Sequence, residues 1–269
     1  MKMKIAILQT EVSIGNIEEN ISRLNRQLEQ LSRSGLPDVL VLPELWTTGF
    51  YPTPLADFAD ENGKQIKEVL SGLARRYRIN LVGGTVITKT DNGIYNTCHC
   101  FDREGELIAE YSKSHLFSPM GENGHFTPGN SLSVFELDGI RCGISVCYDL
   151  RFPEWIRKIA LKDISILFLP AAWPMRRLTH WQILTRARAI ENQMFVVAAN
   201  CAGKQPAMRC AGHSAIIDPW GELLAEAGDG PALLQADLDP SEQKKIRQTF
   251  NVLADRRPDL YSDPSNNSL

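Results

Sequence analysis

The sequence predicts an α/β protein, a single large domain of 269 residues built on a sheet with helical cover above and below. Three observations lead there. Short apolar strands alternate with amphipathic helices along the chain, the pattern of a layered α/β fold. The run Val39-Leu40-Val41-Leu42 is apolar at four consecutive positions, so that strand must be buried on both faces. No Gly/Ser linker, charge block or low-complexity stretch divides the chain, so one domain covers 1–269, with a loose polar end at about 262–269.

Residues 4–10 read as the first strand. Asn16 is placed to cap a helix running to about residue 34, with Ile17, Ile21, Leu24, Leu28 and Leu31 at helical spacing and Gly35 as its stop. The strand at 39–42 ends at Pro43-Glu44, and 45–62 reads as a long surface loop. A second helix spans 64–77, and strands follow at 79–88, 95–101 and 106–112. Residues 114–130 are rich in Gly, Pro and Asn and form a long loop, a kind of segment that often carries function. Strands return at 132–136 and 140–146, a helix covers 153–162, and a strand follows at 164–169. Residues 178–192 are helical and 194–199 a strand. Pro219-Trp220-Gly221 turns a hairpin between 213–218 and 223–227, and 232–238 and 240–248 supply a last strand and helix. The order strand, helix, strand, Pro occurs twice, ending at Pro43 and Pro170, as if the chain held two similar halves.

Net charge is −3 with both signs interspersed, so nothing suggests a nucleic-acid or membrane surface. Pairs such as Arg75-Arg76 and Lys244-Lys245 read as solvated helix faces. The apolar run Ile5–Leu8 is too brief for a secretory leader, and no stretch is long enough to span a bilayer. Six scattered cysteines in a chain of this size read as reduced thiols, hence a cytoplasmic protein. Cys98-His99-Cys100 lies in a strand, where alternation puts His99 on the face opposite both cysteines, so no metal site is expected.

Three residues stand at strand ends, where open α/β sheets bind their ligands. Glu44 ends one strand, Lys113 another, and Cys147 a third. Cys147 leads into a turn and then a helix opened by Pro153. A thiol there gains helix N–H groups that favour its thiolate, and the next N–H, that of Tyr148, can hold an oxyanion. His115, His180 and His213 share no motif with the thiol and read as structural.

Leu42-Pro43-Glu44, Ser112-Lys113-Ser114-His115-Leu116-Phe117 and Cys147-Tyr148-Asp149-Leu150-Arg151-Phe152-Pro153-Glu154 resemble the nitrilase superfamily of carbon–nitrogen hydrolases. The resemblance runs nearly end to end, through Phe126-Thr127-Pro128-Gly129, Arg186–Asn192, Asn200, Gly212–Ser214, Asp218–Gly221 and Arg257–Tyr261. Cys147–Glu154 and Ala172-Trp173-Pro174 look like the ω-amidase and related amidase branch. The resemblance implies a four-layer α-β-β-α sandwich, a homodimer and no cofactor. It implies Cys147 as nucleophile, Glu44 as general base and acid, Lys113 with the Tyr148 N–H as oxyanion site, and Glu122 as a second carboxylate orienting Lys113 and substrate. Trp173 is expected to wall the pocket. Arg177 is expected to anchor the free carboxylate of a small-molecule amide such as 2-oxoglutaramate or 2-oxosuccinamate. Deaminated glutathione and N-carbamoyl amino acids are the alternative substrates, and a non-catalytic interaction protein of the same fold is the alternative of another class. Arg186 and Glu191 are expected to make structural or dimer contacts, with Ala189→Asp as a probe of the interface.

Overall fold

Asn16 caps the first helix as its position suggests, its side chain accepting the Glu19 N–H at 3.0 Å. That helix belongs to a first half of the chain that runs β1 (Met3–Gln9), α1 (Ile17–Ser34), β2 (Val39–Val41), β3 (Asp60–Glu61), α2 (Lys64–Tyr77), β4 (Asn80–Thr90), β5 (Gly93–Phe101) and β6 (Leu107–Ser112). The second half runs β7 (Ser133–Leu137), β8 (Ile140–Ile144), α3 (Pro153–Ala160), β9 (Ile166–Ala171), α4 (Leu178–Asn192) and β10 (Phe195–Asn200). It continues with a small hairpin of β11 (Lys204–Gln205) and β12 (Met208–Arg209), then β13 (Ala215–Ile217), β14 (Leu223–Glu226), β15 (Ala232–Leu238) and α5 (Pro240–Thr249). The computed structural model describes residues 2–50 and 52–261. The end expected to be loose, 262–269, lies outside them.

The strands form two principal sheets, ordered β15-β1-β2-β4-β5-β6, with β3 beside β4, and β7-β8-β9-β10-β13-β14. Read in those orders, both show one antiparallel pair, two parallel pairs and two antiparallel pairs. The faint sequence echo is therefore a topological repeat in which β1-α1-β2 corresponds to β8-α3-β9.

Alternation along each strand builds the layers. Leu40 and Leu42 face outward and pack with Ala6, Leu8 and Leu81 against Leu24, Leu28, Ile66 and Leu70 of α1 and α2. Val39 and Val41 face inward and join Ile5 and Ile7 in a core shared with Ile144, Ile166 and Phe168 of the second sheet. That core continues through the second sheet to Ile156, Ile159 and Trp181 of α3 and α4. The result is the α-β-β-α sandwich that the resemblance implied, and β2 is buried on both faces as its apolar run required.

Two expectations are corrected here. The stretch 45–62 is not a surface loop throughout: Leu45, Trp46, Thr47, Thr48 and Phe50 are buried. The chain turns inward after β2 because Gly83 and Gly84 bulge β4 away from regular pairing. Thr85 N–H then reaches Pro43 O at 3.2 Å, and Trp46 Nε1 donates to Gly83 O at 2.7 Å. A Cβ on Gly84, whose φ is +61°, would lie 2.1 Å from Pro43 O, so the bulge needs glycine there. The six cysteines are not all reduced: Cys201 and Cys210 form a disulfide, while Cys98, Cys100, Cys142 and Cys147 are free. Their Cα atoms, 5.7 Å apart, are brought together by the tight β11–β12 hairpin, a proximity that scattered positions in sequence do not reveal.

Candidate active site

The thiol sits on a strained elbow. Val146 is extended, and Cys147 then takes φ +46°, a left-handed conformation uncommon for any residue but glycine. A five-residue 3-10 turn, Cys147–Arg151, follows, and α3 opens with Pro153. Asp149, fully buried, braces the elbow. One oxygen accepts Val146 N–H at 2.9 Å and Tyr111 Oη–H at 2.7 Å. The other accepts His115 N–H at 2.9 Å and lies 2.7 Å from His115 Nδ1. One carboxylate therefore ties the nucleophile's turn to the loop that follows Lys113.

Four groups converge beneath the elbow. Lys113 Nζ lies 2.9 Å from Glu44 Oε1 and 3.0 and 2.8 Å from the two oxygens of Glu122. All three side chains are wholly buried. Glu44 Oε2 accepts the Ala172 N–H at 2.8 Å, and Ala172 lines the space over Cys147. Glu122 is held by Phe117 N–H. Burial pulls the Lys113 pKa down, but the charges of Glu44 and Glu122 outweigh it and hold the ammonium charged, well above the ordinary lysine value. Burial and the Glu44 charge push the Cys147 thiol well above its ordinary value, and Lys113 only partly offsets them. This corrects the expectation of a favoured thiolate. A single 3-10 turn supplies too little field to outweigh burial beside a carboxylate, so the resting group is a thiol.

Above the thiol is a cavity walled by Phe50, Phe117, Met120, Trp173, Pro174 and Met208. Trp173 is fixed by Asn200, whose Oδ1 accepts its N–H at 2.7 Å, and its Nε1 donates to Arg177 O at 2.8 Å. Arg177 lines the cavity with its guanidinium 5.0 Å from the Phe117 ring centre, and its Nη1 is buried with no hydrogen-bond partner. Arg151 lines it too, 4.8 Å above the Trp173 ring. Burial, then the positive charges of Arg176 and Arg151, pull the Arg177 pKa below its ordinary value. Such a cationic pocket favours an anion. Tyr148 lines the same cavity, and its N–H stands at the start of the 3-10 turn, where the first N–H groups lack intrahelical partners.

The structure thus gathers Glu44, Lys113, Glu122, Cys147, Tyr148, Trp173 and Arg177 around one space. The histidines stay out of contact with the thiol: His115 faces Asp149, His180 lies beside Arg151, and His213 pairs with Glu226. His99 pairs with Glu110 on the face opposite Cys98 and Cys100, as alternation requires. Sequence reasoning missed Arg151, Asp149 and Asn96. The first two stand in the nucleophile's own turn. Asn96 left a subtler signal, since alternation places this amide on the same core-facing side of β5 as Cys98 and Cys100.

The profile of the family described as Carbon-nitrogen hydrolase matches residues 4–248. The chain belongs to the carbon–nitrogen hydrolase family. It is 44% identical over 261 residues to the 2-oxoglutaramate amidase of Bacillus subtilis, covering 97% of this chain and all of that one. It is 33% identical to the omega-amidase NIT2 of Danio rerio, with 97% of each chain covered. The crystal structure of Saccharomyces cerevisiae Nit3, a member of branch 10 of the nitrilase superfamily, superposes with a TM-score of 0.87 at 30% identity, covering 93% of this chain and 94% of that one. The fold is that of the nitrilase superfamily, as the motifs implied.

Proposed function

We propose that this carbon–nitrogen hydrolase is an ω-amidase, releasing ammonia from the short ω-amide of a dicarboxylic acid, such as 2-oxoglutaramate or 2-oxosuccinamate, and needing no cofactor. One observation carries the substrate class. The cavity over Cys147 presents Arg151 and Arg177, and neither has a carboxylate partner among the described residues. A free carboxylate at the far end of the substrate supplies that partner and aims the amide carbon at the thiol. The relatives named for 2-oxoglutaramate and ω-amides support the same reading.

In this mechanism Glu44 takes the thiol proton as Cys147 Sγ attacks the amide carbon. The oxyanion is held by the Lys113 ammonium and the Tyr148 N–H. Glu44 then protonates the leaving nitrogen, the C–N bond breaks, and ammonia departs, leaving a thioester. Glu44 next takes a proton from water, whose oxygen attacks the thioester. The C–S bond breaks, the acid leaves, and the proton returns to sulfur. Glu122 takes no proton in this scheme and holds Lys113 against Glu44.

The test is ammonia release from a panel of 2-oxoglutaramate, 2-oxosuccinamate, an N-carbamoyl amino acid, a simple nitrile and butyramide. Arg177→Met and Arg151→Met should each raise KM for the charged ω-amides about ten- to a hundred-fold, the weight of a lost charge-assisted hydrogen bond. KM for neutral butyramide should stay unchanged. Equal effects on charged and neutral amides would sink the carboxylate-anchor reading. Turnover of the carbamoyl compound alone would move the assignment to that class.

The proposal extends to a cytoplasmic setting, which the four unpaired thiols favour and the Cys201–Cys210 bond does not, and to one chain acting as a single domain, supported by a family match spanning 4–248. It extends also to a homodimer formed through the outer face of α4, where Ile183 is 60% and Ile190 50% exposed beside Leu223 and Trp220. Ala189 is fully buried in the core and cannot probe that face, contrary to expectation. Arg186 and Glu191 make internal contacts, with Gly221 O at 2.7 Å and Arg188 at 2.9 Å. Ile190→Asp should convert the dimer to monomer in analytical ultracentrifugation. An unchanged sedimentation coefficient would place the interface elsewhere.

A further inference from the structure

Asn96 lies in the middle of β5, 1% exposed, with its side chain between the two carboxylates of the site. Its Nδ2 donates to Glu44 Oε1 at 2.8 Å and to Glu122 Oε1 at 3.3 Å. Its Oδ1 is buried with no hydrogen-bond partner. A buried amide oxygen left unsatisfied is costly, so something must hold the amide this way round. The two carboxylates do. A flipped amide would aim Oδ1 at two anionic oxygens and lose both donations. The backbone of the same residue reaches the third member, since Lys113 N–H donates to Asn96 O at 2.9 Å.

The division of labour on Glu44 follows. Oε1 accepts Lys113 Nζ and Asn96 Nδ2, at 2.9 and 2.8 Å. Oε2 accepts the Ala172 N–H at 2.8 Å, and Ala172 lines the cavity together with Cys147. With Oε1 occupied by two donors, the lone pair open to the thiol belongs to Oε2.

We propose that Asn96 is a positioning residue for the hydrolytic reaction: by engaging Glu44 Oε1 together with Lys113, it fixes the carboxylate so that Oε2 alone carries the proton between thiol, leaving amine and water. This rests on the proposed role of Glu44 as the proton carrier, though not on which amide is the substrate. Asn96 touches neither substrate nor thiol. Its loss lets the carboxylate rotate about its last bond, with Lys113 its one remaining donor on Oε1, and the misplaced oxygen slows each proton transfer.

The experiment uses two uncharged variants. Asn96→Leu removes the donor while keeping the outline of the amide, and Asn96→Ala removes the whole group. Both should lower kcat about 30- to 300-fold on the best amide of the panel, with KM within about two-fold of wild type. p-Nitrophenyl acetate provides a readout independent of the natural amide. It acylates Cys147 through its own good leaving group, and hydrolysis of the resulting thioester needs water activated by Glu44. The variants should keep the amplitude of the nitrophenol burst, but both the burst and the steady state after it should be slower than in wild type, because thiol and water each lose a proton to Glu44. Thermal unfolding checks that the fold survives. A wild-type steady state in Asn96→Leu would overturn the proposal, as would equal rises in KM and falls in kcat in both variants, the mark of a merely loosened pocket. A wild type that turns over the ester but no ω-amide would refute the substrate assignment and leave the role of Asn96 standing or falling on the ester alone. If Asn96→Leu does not fold, the burst and steady state of Asn96→Ala decide the matter.

Discussion

Cys147→Ala should abolish ammonia release, with a loss of kcat on the order of 10⁶, the scale seen when a catalytic nucleophile is removed. No other free thiol among the described residues can replace it. The remaining free thiols, Cys98, Cys100 and Cys142, are fully buried in the core between the sheets. The substitution leaves the rest of the site in place: Glu44 keeps Lys113, Asn96 and the Ala172 N–H as partners. The variant should therefore fold, bind the ω-amide and accumulate no acyl adduct by intact mass, while wild type quenched in mid-turnover shows the thioester. Near-normal turnover by the alanine variant would refute the thiol mechanism outright.

Lys113→Ala should do damage of two kinds. Loss of an oxyanion donor costs roughly 10²–10³ in kcat. The second effect is on stability. Lys113 is the ammonium that Glu44 and Glu122 share, and all three side chains are inaccessible to solvent. Removing it leaves two buried carboxylates facing each other, and breaking a buried ion pair typically costs about 3–5 kcal/mol. For a chain of this length that corresponds to a fall in Tm of roughly 10 °C. The sign with pH follows from the raised lysine pKa. The stabilisation is present through neutral pH and is lost only as pH rises past the ordinary lysine range toward the elevated native value. Adding Glu122→Gln to Lys113→Ala removes one stranded charge and should recover part of the lost Tm. If the double variant melts no higher than the single one, the electrostatic account of this triad is wrong.

Much of this could be read from local chemistry. The cap at Asn16, the helix faces of α1 and α2 and the burial of β2 follow from periodicity and hydrogen-bonding capacity, which act over a few residues. Cys147 and Glu44 were visible because each follows a strand at the edge where such sheets bind ligands. The errors also have local causes. Residues 45–50 carry Thr, Gly and a preceding Pro and so read as exposed, yet the Gly83-Gly84 bulge, distant in sequence, makes room for them inside. Ala189 lies on a helix with weak amphipathic contrast, so which of its faces meets the core could not be told from spacing.

Fold class, the order of nearly every element and the motifs around Glu44, Lys113 and Cys147 were legible in the chain alone. Strand and helix periodicities are local, and the motifs around Glu44, Lys113 and Cys147 are contiguous. What those residues do to one another is set by how the two sheets pack. Distances between chain segments as far apart as Glu44 and Ala172, or Asn96 and Glu122, depend on how two sheets pack. The charge balance that holds Lys113 ionised and Cys147 protonated arises from that packing, because burial in a low-dielectric core magnifies every charge within reach. The same packing closed the Cys201–Cys210 pair and set Arg151 beside Arg177 over the thiol, two juxtapositions that no spacing in the chain announces.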